Sequence, residues 1–218
     1  MALVKTLYLE LTRQISPVTK DGTKITSSNI GAVEPAKHSK EDVLGFYNDA
    51  RIALFNALSQ VYPGDALSLV VSGAVINSTV AFANDGSGVS ASKPTGYMKF
   101  ISMSDASTVQ IYRLPETMVR AVLAGTDSHF EQSATNMFVF EEGSKIFHYG
   151  GFIVAAEVIN LSYFGLPIYV IADVTGGTTV EAINDTEHPK LIELAVARSQ
   201  GQGTAALNVL ASKLIGSK

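Results

Sequence analysis

Cysteine is absent from this 218-residue chain, which excludes disulfide staples, thiolate nucleophiles and thiolate metal sites. A reducing compartment is compatible with that composition. Long apolar runs are also missing: no stretch approaches the ~18 residues that a membrane span requires. Lys5, Glu10 and Arg13 interrupt the first fifteen residues before a signal-peptide core can form. A soluble protein with no membrane partner is therefore expected. Basic clusters are lacking too, since 16 Lys and Arg are scattered among 20 Asp and Glu for a formal charge of −4 and a pI near 5.5. A groove that tracks phosphates needs clustered cations to release counterions. Duplex DNA passing the surface without being gripped stays compatible with this balance.

The familiar catalytic patterns are missing as well. His38, His129, His148 and His188 are too far apart in sequence for a helical zinc motif. His129 with Glu131, or His148 opposite Glu141 across a hairpin, come nearest to a catalytic pair. A histidine hydrogen-bonded on a strand explains each more simply. Gly-x-Ser-x-Gly and the Walker loop do not occur, and the GQGTAA stretch at 201–206 follows a helix, which is the wrong context for a dinucleotide loop. Glu141 and Glu142 are adjacent, so on a strand they point to opposite faces. Asp173, Glu181, Asp185 and Glu187 surround a Gly-Gly loop without calcium-loop spacing. No catalytic residue, metal ligand or cofactor is assigned, and the expectation is that the protein is not an enzyme.

What is present is a strong amphipathic helix. In SKEDVLGFYNDARIALFNALSQVY (39–62), Val43, Phe46, Tyr47, Ala50, Leu54, Ala57, Leu58 and Val61 recur at steps of three and four and make one apolar stripe. Ser39 and Asp42 have the spacing of a capping box, and Pro63-Gly64 stops the helix. Arg51 lies four residues from both Tyr47 and Phe55, a position suited to a cation–π contact, to a carboxylate partner, or to a solvated flank.

The rest of the chain, 46% hydrophobic overall, is organised around that helix. Residues 3–15 lean to helix, and 16–38 read as a loop or loosely attached arm. ALSLVVSG and AVINSTVAF are candidate strands, followed by runs at 97–103 and 109–112. A short helix near 115–124 starts at Pro115. MFVFEEGSKIFHYGG suggests a hairpin, and GFIVAAEVINLSYF and IYVIADV continue the β series, giving a small antiparallel meander or sandwich. PKLIELAVARSQ and TAALNVLASKLIG return to helix.

The predicted fold is therefore α+β. A helical bundle (39–64 and 187–200) carries an inserted antiparallel β-rich subdomain (65–186). An N-terminal segment and arm (1–38) precede it, and a C-terminal helix or docking tail (201–218) follows. For partner contact, the arm offers Lys20, Lys24 and Asn29, the loop at 84–93 offers Asn84 and Lys93, and the last helix offers the stripe Leu207, Leu210 and Leu214.

The order of SKEDVLGFYNDARIALFNALSQVYPGDAL, IYRLPETM, MFVFEEGSKIFHYGG, VINLSYFGLPIYV and HPKLIELAVARSQ resembles the head-to-tail adaptor proteins of short-tailed bacteriophages, over about residues 39–200. The resemblance implies a ring of about twelve copies in the virion neck, between a portal protein and a tail or nozzle protein. Double-stranded DNA would pass through it without specific binding. A different minor capsid or tail-completion protein is the alternative within the same class, and a small-ligand module or enzyme using His148 or Glu141 is the alternative outside it.

Overall fold

The computed structural model describes residues 4–62, 65–84, 89–107, 109–115, 117–119, 137–149, 158–176 and 182–216. The chain is α+β, with an N-terminal helix, a central β subdomain and C-terminal helices. It divides into two compact units, a helical unit made of Met1–Ala74 with Leu166–Lys218, and an inserted β unit, Val75–Gly165.

In the helical unit, α1 (Val4–Ile15) buries Val4, Leu7, Leu11 and Ile15, which lie three or four residues apart. Helix α2 (Lys40–Val61) is capped as its sequence predicts: Asp42 N–H donates to Ser39 Oγ at 3.0 Å and Ser39 N–H donates to Asp42 Oδ2 at 3.2 Å. Those bonds hold the Asp42 carboxyl below its ordinary pKa. Helix α2 packs on α5 (His188–Ser199) and α6 (Thr204–Gly216), and α1 packs on α2 and α5. An ion pair from Arg198 Nε to Asp49 Oδ2 at 2.8 Å ties α5 to α2 at the surface.

Three expectations for this unit are corrected. ALSLVVSG is not a strand: it forms the short helix α3 (Asp65–Val70) and a 3-10 turn, Ser72–Ala74. Leu67 and Val71, four apart, are both fully buried, and Val71 N–H donates to Leu67 O, so the segment satisfies itself locally. IYVIADV is not a strand either. Residues 167–170 lie beside α2, where Asn48 takes both the N–H and the C=O of Tyr169, at 3.2 and 3.0 Å. From there α4 (Ile171–Gly176) begins, with the Asp173 carboxylate accepting from Val170 N–H at 2.8 Å.

Residues 16–38 are a loop as expected, but not a loose arm. Ile25 and Ile30 are buried, bridges join Val18 to Lys24 and Thr19 to Pro35, and Gly31 passes close to α4. A Cβ at Gly31 would overlap the Thr175 side chain, so any larger residue there requires that side chain to shift.

The β unit contains β1 (Val75–Ala81), β2 (Ala83–Asn84), β3 (Val89–Ser92), β4 (Tyr97–Ser104), β5 (Gln110–Arg113), β6 (Met137–Glu142), β7 (Lys145–Tyr149) and β8 (Val158–Gly165). Their order in the sheet is β1-β8-β4-β5-β6-β7-β3-β2. The two ends of that order are consecutive in the chain, separated by the buried Phe82 alone. One bent strand thus pairs with β8 through its first part and with β3 through its last, and the sheet closes into a barrel.

This corrects the meander or sandwich expectation, and the barrel is mixed: β5 and β6 run parallel, while the other pairs are antiparallel. The barrel interior is filled by every second side chain, including Val80, Phe82, Met103, Ile111, Val139, Ile146, Ile159 and Leu161. The inserted unit is shorter than 65–186, because 65–74 and 166–176 have their buried partners among the helices. Of the helix expected near 115–124, residues 117–119 are helical. Pro115 precedes that turn, while residues 116 and 120–124 lie outside the described residues, as do the strand candidate at 151–157 and the loop at 177–181.

Candidate functional site

Among the described residues, two places gather polar groups or exposed apolar ones, one in each unit. In the β unit it is the end of the barrel where β6 turns into β7. Met137, Val139 and Glu141 share the inner face of β6 by strand alternation, so the Glu141 carboxylate continues the row of core side chains toward the rim. Gly143, at φ +54°, supplies the left-handed residue of the two-residue turn to β7.

Around Glu141 stand Arg113 Nη2 at 3.3 Å and Lys93 Nζ at 3.8 Å, and the Tyr97 hydroxyl donates to the same carboxylate. Lys93 also donates to Gly143 O at 3.0 Å and lies 5.2 Å from the centre of the Tyr97 ring. Burial first, and then the bond to Glu141, raise the Tyr97 phenol well above its ordinary pKa. Lys93, Arg113, Leu114, Val119, Glu141, Glu142 and Gly143 line a cavity of about 270 Å³ at this rim.

Chemically, the cluster is a fastener. Its carboxylate lies beside two cations, and its phenol keeps the proton to higher pH than a free tyrosine does. It ties the start of β4, the end of β5 and the β6–β7 hairpin to one another. Sequence reasoning singled out Lys93 and Glu141 separately but did not join them. Arg113 and Tyr97 carried no motif that could have brought them into the same group.

His148 does not face Glu141 across the hairpin. The cross-strand partner of Glu141 is Ile146, and that of His148 is Val139. The His148 ring is buried, with Nδ1 at 3.1 Å from Phe138 O. His188 is likewise buried at the start of α5, with Nε2 3.0 Å from Ile183 O, while His38 packs edge-on against Phe46. His129 lies outside the described residues. Among those residues, no group of three or more His, Asp or Glu could hold a metal ion.

In the helical unit the notable element is α6. Leu207, Ala211 and Ile215 are buried toward α2 and α5. Val209 is nevertheless 56% exposed, and Ala205, Ala206, Ser212 and Lys213 are exposed beside it. The helix is therefore apolar on its inner face and largely apolar on its outer one. On the other side of α5, Glu10 and Gln14 of α1 and Pro189, Ile192, Glu193 and Val196 of α5 line a groove of about 260 Å³.

The other residues singled out in the sequence are dispersed. Leu207 is 1% exposed and belongs to the core, whereas Leu210 and Leu214 are half-buried at the margin of the outer face. Lys20 and Lys24 are exposed on the 16–38 loop. Asn29 is occupied within that loop, accepting from Thr26 N–H at 2.8 Å and donating to Lys24 O at 3.1 Å. Asn84 is exposed on β2.

Arg51 is not a solvated flank position. It is 1% exposed, lies 4.0 Å from the centre of the Tyr169 ring, and donates to Pro167 O at 2.6 Å. Its role is to hold residues 167–169 against α2.

Among the described residues no helix is long and apolar enough to cross a membrane. In comparisons with known proteins, no family model and no curated protein matches this sequence.

Proposed function

We propose that this protein is a structural subunit of a virion, a head-to-tail adaptor whose copies form a ring in the neck between capsid and tail. A portal protein would lie on one side and a tail or nozzle protein on the other. Duplex DNA would pass through the channel without being specifically bound, in keeping with the net charge of −4. The protein contributes shape and contacts, with no catalytic step of its own.

The observation that supports an assembly role is the outer face of α6. An apolar row on a helix calls for a covering surface, yet Ala205, Ala206 and Val209 of α6 face outward in the single chain, beside Ser212 and Lys213. The element order of capped long helix, inserted β unit and C-terminal helices is what carries the resemblance to the adaptors.

Electron microscopy of purified particles tests the reading. A closed ring of this chain, coaxial with the DNA channel at the neck, is the expected result. Particles that lack the chain, or that carry it dispersed over the capsid, would overturn it.

A further inference from the structure

We propose that the outer face of α6 in one copy docks into the α1–α5 groove of the next copy, so that identical chains join head to tail. The inference rests on the self-assembly reading above and adds the two surfaces that meet. The occupant of the groove is a second copy of this chain because α6 carries what the groove lacks.

The groove has an apolar floor, Pro189, Ile192 and Val196, with Gln14 beside it, and two exposed carboxylates, Glu10 and Glu193, at its margin. Within reach of that margin, Lys190 is already engaged by Glu187 at 2.8 Å, and Arg13 is exposed on the next position of α1 toward Gln14. The outer row of α6 has the complementary pattern. Ala206, Val209 or Leu210, and Lys213 follow one another at three-and-four spacing, apolar first and cationic last. Lys213 is the only charged residue of α6. The small Ala205 and Ala206 let a neighbouring helix approach closely, Val209 meets the apolar floor, and Lys213 faces Glu10 or Glu193.

Donor and acceptor are different surfaces, so the contact is heterologous. Repeating a heterologous contact closes a ring if its rotation permits, and makes an open filament otherwise. A two-fold dimer would instead use one patch on both partners. That difference gives the test its discriminating power.

Two variants of the full chain are made: a donor-side variant, Val209→Asp with Lys213→Glu, and an acceptor-side variant, Glu10→Lys with Glu193→Lys. All four positions are exposed, so both variants should melt as the parent does. In sedimentation velocity the parent chain is expected to assemble, and each variant alone to associate about tenfold or more weakly. In an equimolar mixture the intact donor of one variant meets the intact acceptor of the other, and the reversed charges of the remaining pair again attract, so the mixture should regain the association that each variant alone has lost.

As a second measure, Lys213→Cys and Glu193→Cys introduced together into this cysteine-free chain should oxidise to a ladder of cross-linked copies. A parent that assembles while either variant assembles equally well, or while no ladder forms, overturns this contact and leaves the ring reading standing. A parent that stays monomeric at every soluble concentration also overturns the contact, and the particle images then decide the ring separately.

Discussion

At the scale of single residues, the buried Tyr8 and the half-buried Tyr97 set an alkaline limit to stability. Tyr97 is raised by burial and by its bond to Glu141, and Tyr8 chiefly by burial, with its hydroxyl donating to Lys40 O at 3.1 Å. In the unfolded chain each phenol releases its proton near the ordinary value of 10, whereas in the folded chain each keeps it to higher pH. The unfolded state therefore binds fewer protons in that window, and stability falls as pH rises past 10. Urea midpoints measured at rising alkaline pH should show this decline. Tyr97→Phe, which removes one of the two phenols, should lessen it and leave the Tyr8 share. An unchanged slope in that variant would mean that the Tyr97 proton is not linked to folding.

At the scale of elements, the two faces of α6 should respond in opposite ways. Leu207→Ala removes a side chain that is 1% exposed, and a loss of about 2–5 kcal/mol is expected from denaturant unfolding. Val209→Asp alters an exposed position, and its effect on the same measurement should stay within about 0.5 kcal/mol, with association reduced. If Val209→Asp unfolded the monomer, its face would be core and the docking argument would end.

Periodicity shows clearly in this sequence where one face of an element is buried. The stripe of α2, its Ser39–Asp42 cap, the Pro189 start of α5 and the strand alternation of β8 are all readable. Periodicity fails where a run is short and apolar. ALSLVVSG and IYVIADV have strand composition, but α3 and α4 form because Leu67 with Val71, and Asp173 with Val170, satisfy the backbone locally. The polar cluster at the barrel rim was not readable at all. Its members come from three separate segments, and only the fold of the sheet brings Lys93 and Tyr97, Arg113 and Glu141 together. The groove on α1 and α5 was hidden for the same reason, since residues 10 and 193 are neighbours only in the folded bundle.

At the scale of the whole molecule, the β unit is inserted through two adjacent strand ends. Val75, where the chain enters, pairs directly with Phe164, where it leaves. The two attachment points are thus about 5 Å apart, and a short Gly-Ser linker from Ala74 to Leu166 could replace the insertion. The shortened chain is expected to keep its helical circular dichroism and cooperative melting. The excised 75–165 piece, which has its own closed core, should give dispersed amide resonances when made alone. Aggregation of both products would mean that neither unit folds independently.

The same placement of entry and exit fixes how the barrel bears load. The chain arrives on β1 and departs on β8, which run antiparallel and are paired from Val75–Phe164 through Ala81–Val158. Tension on the two connections pulls first on the Val75–Phe164 rung and then on each rung in succession. The bonds break singly, like the teeth of a zipper, where strands sheared along their length would share the force. Stretching the excised 75–165 piece by its two ends should open the barrel at that seam under low force, with Phe82 and the rest of the interior exposed only after the seam has run.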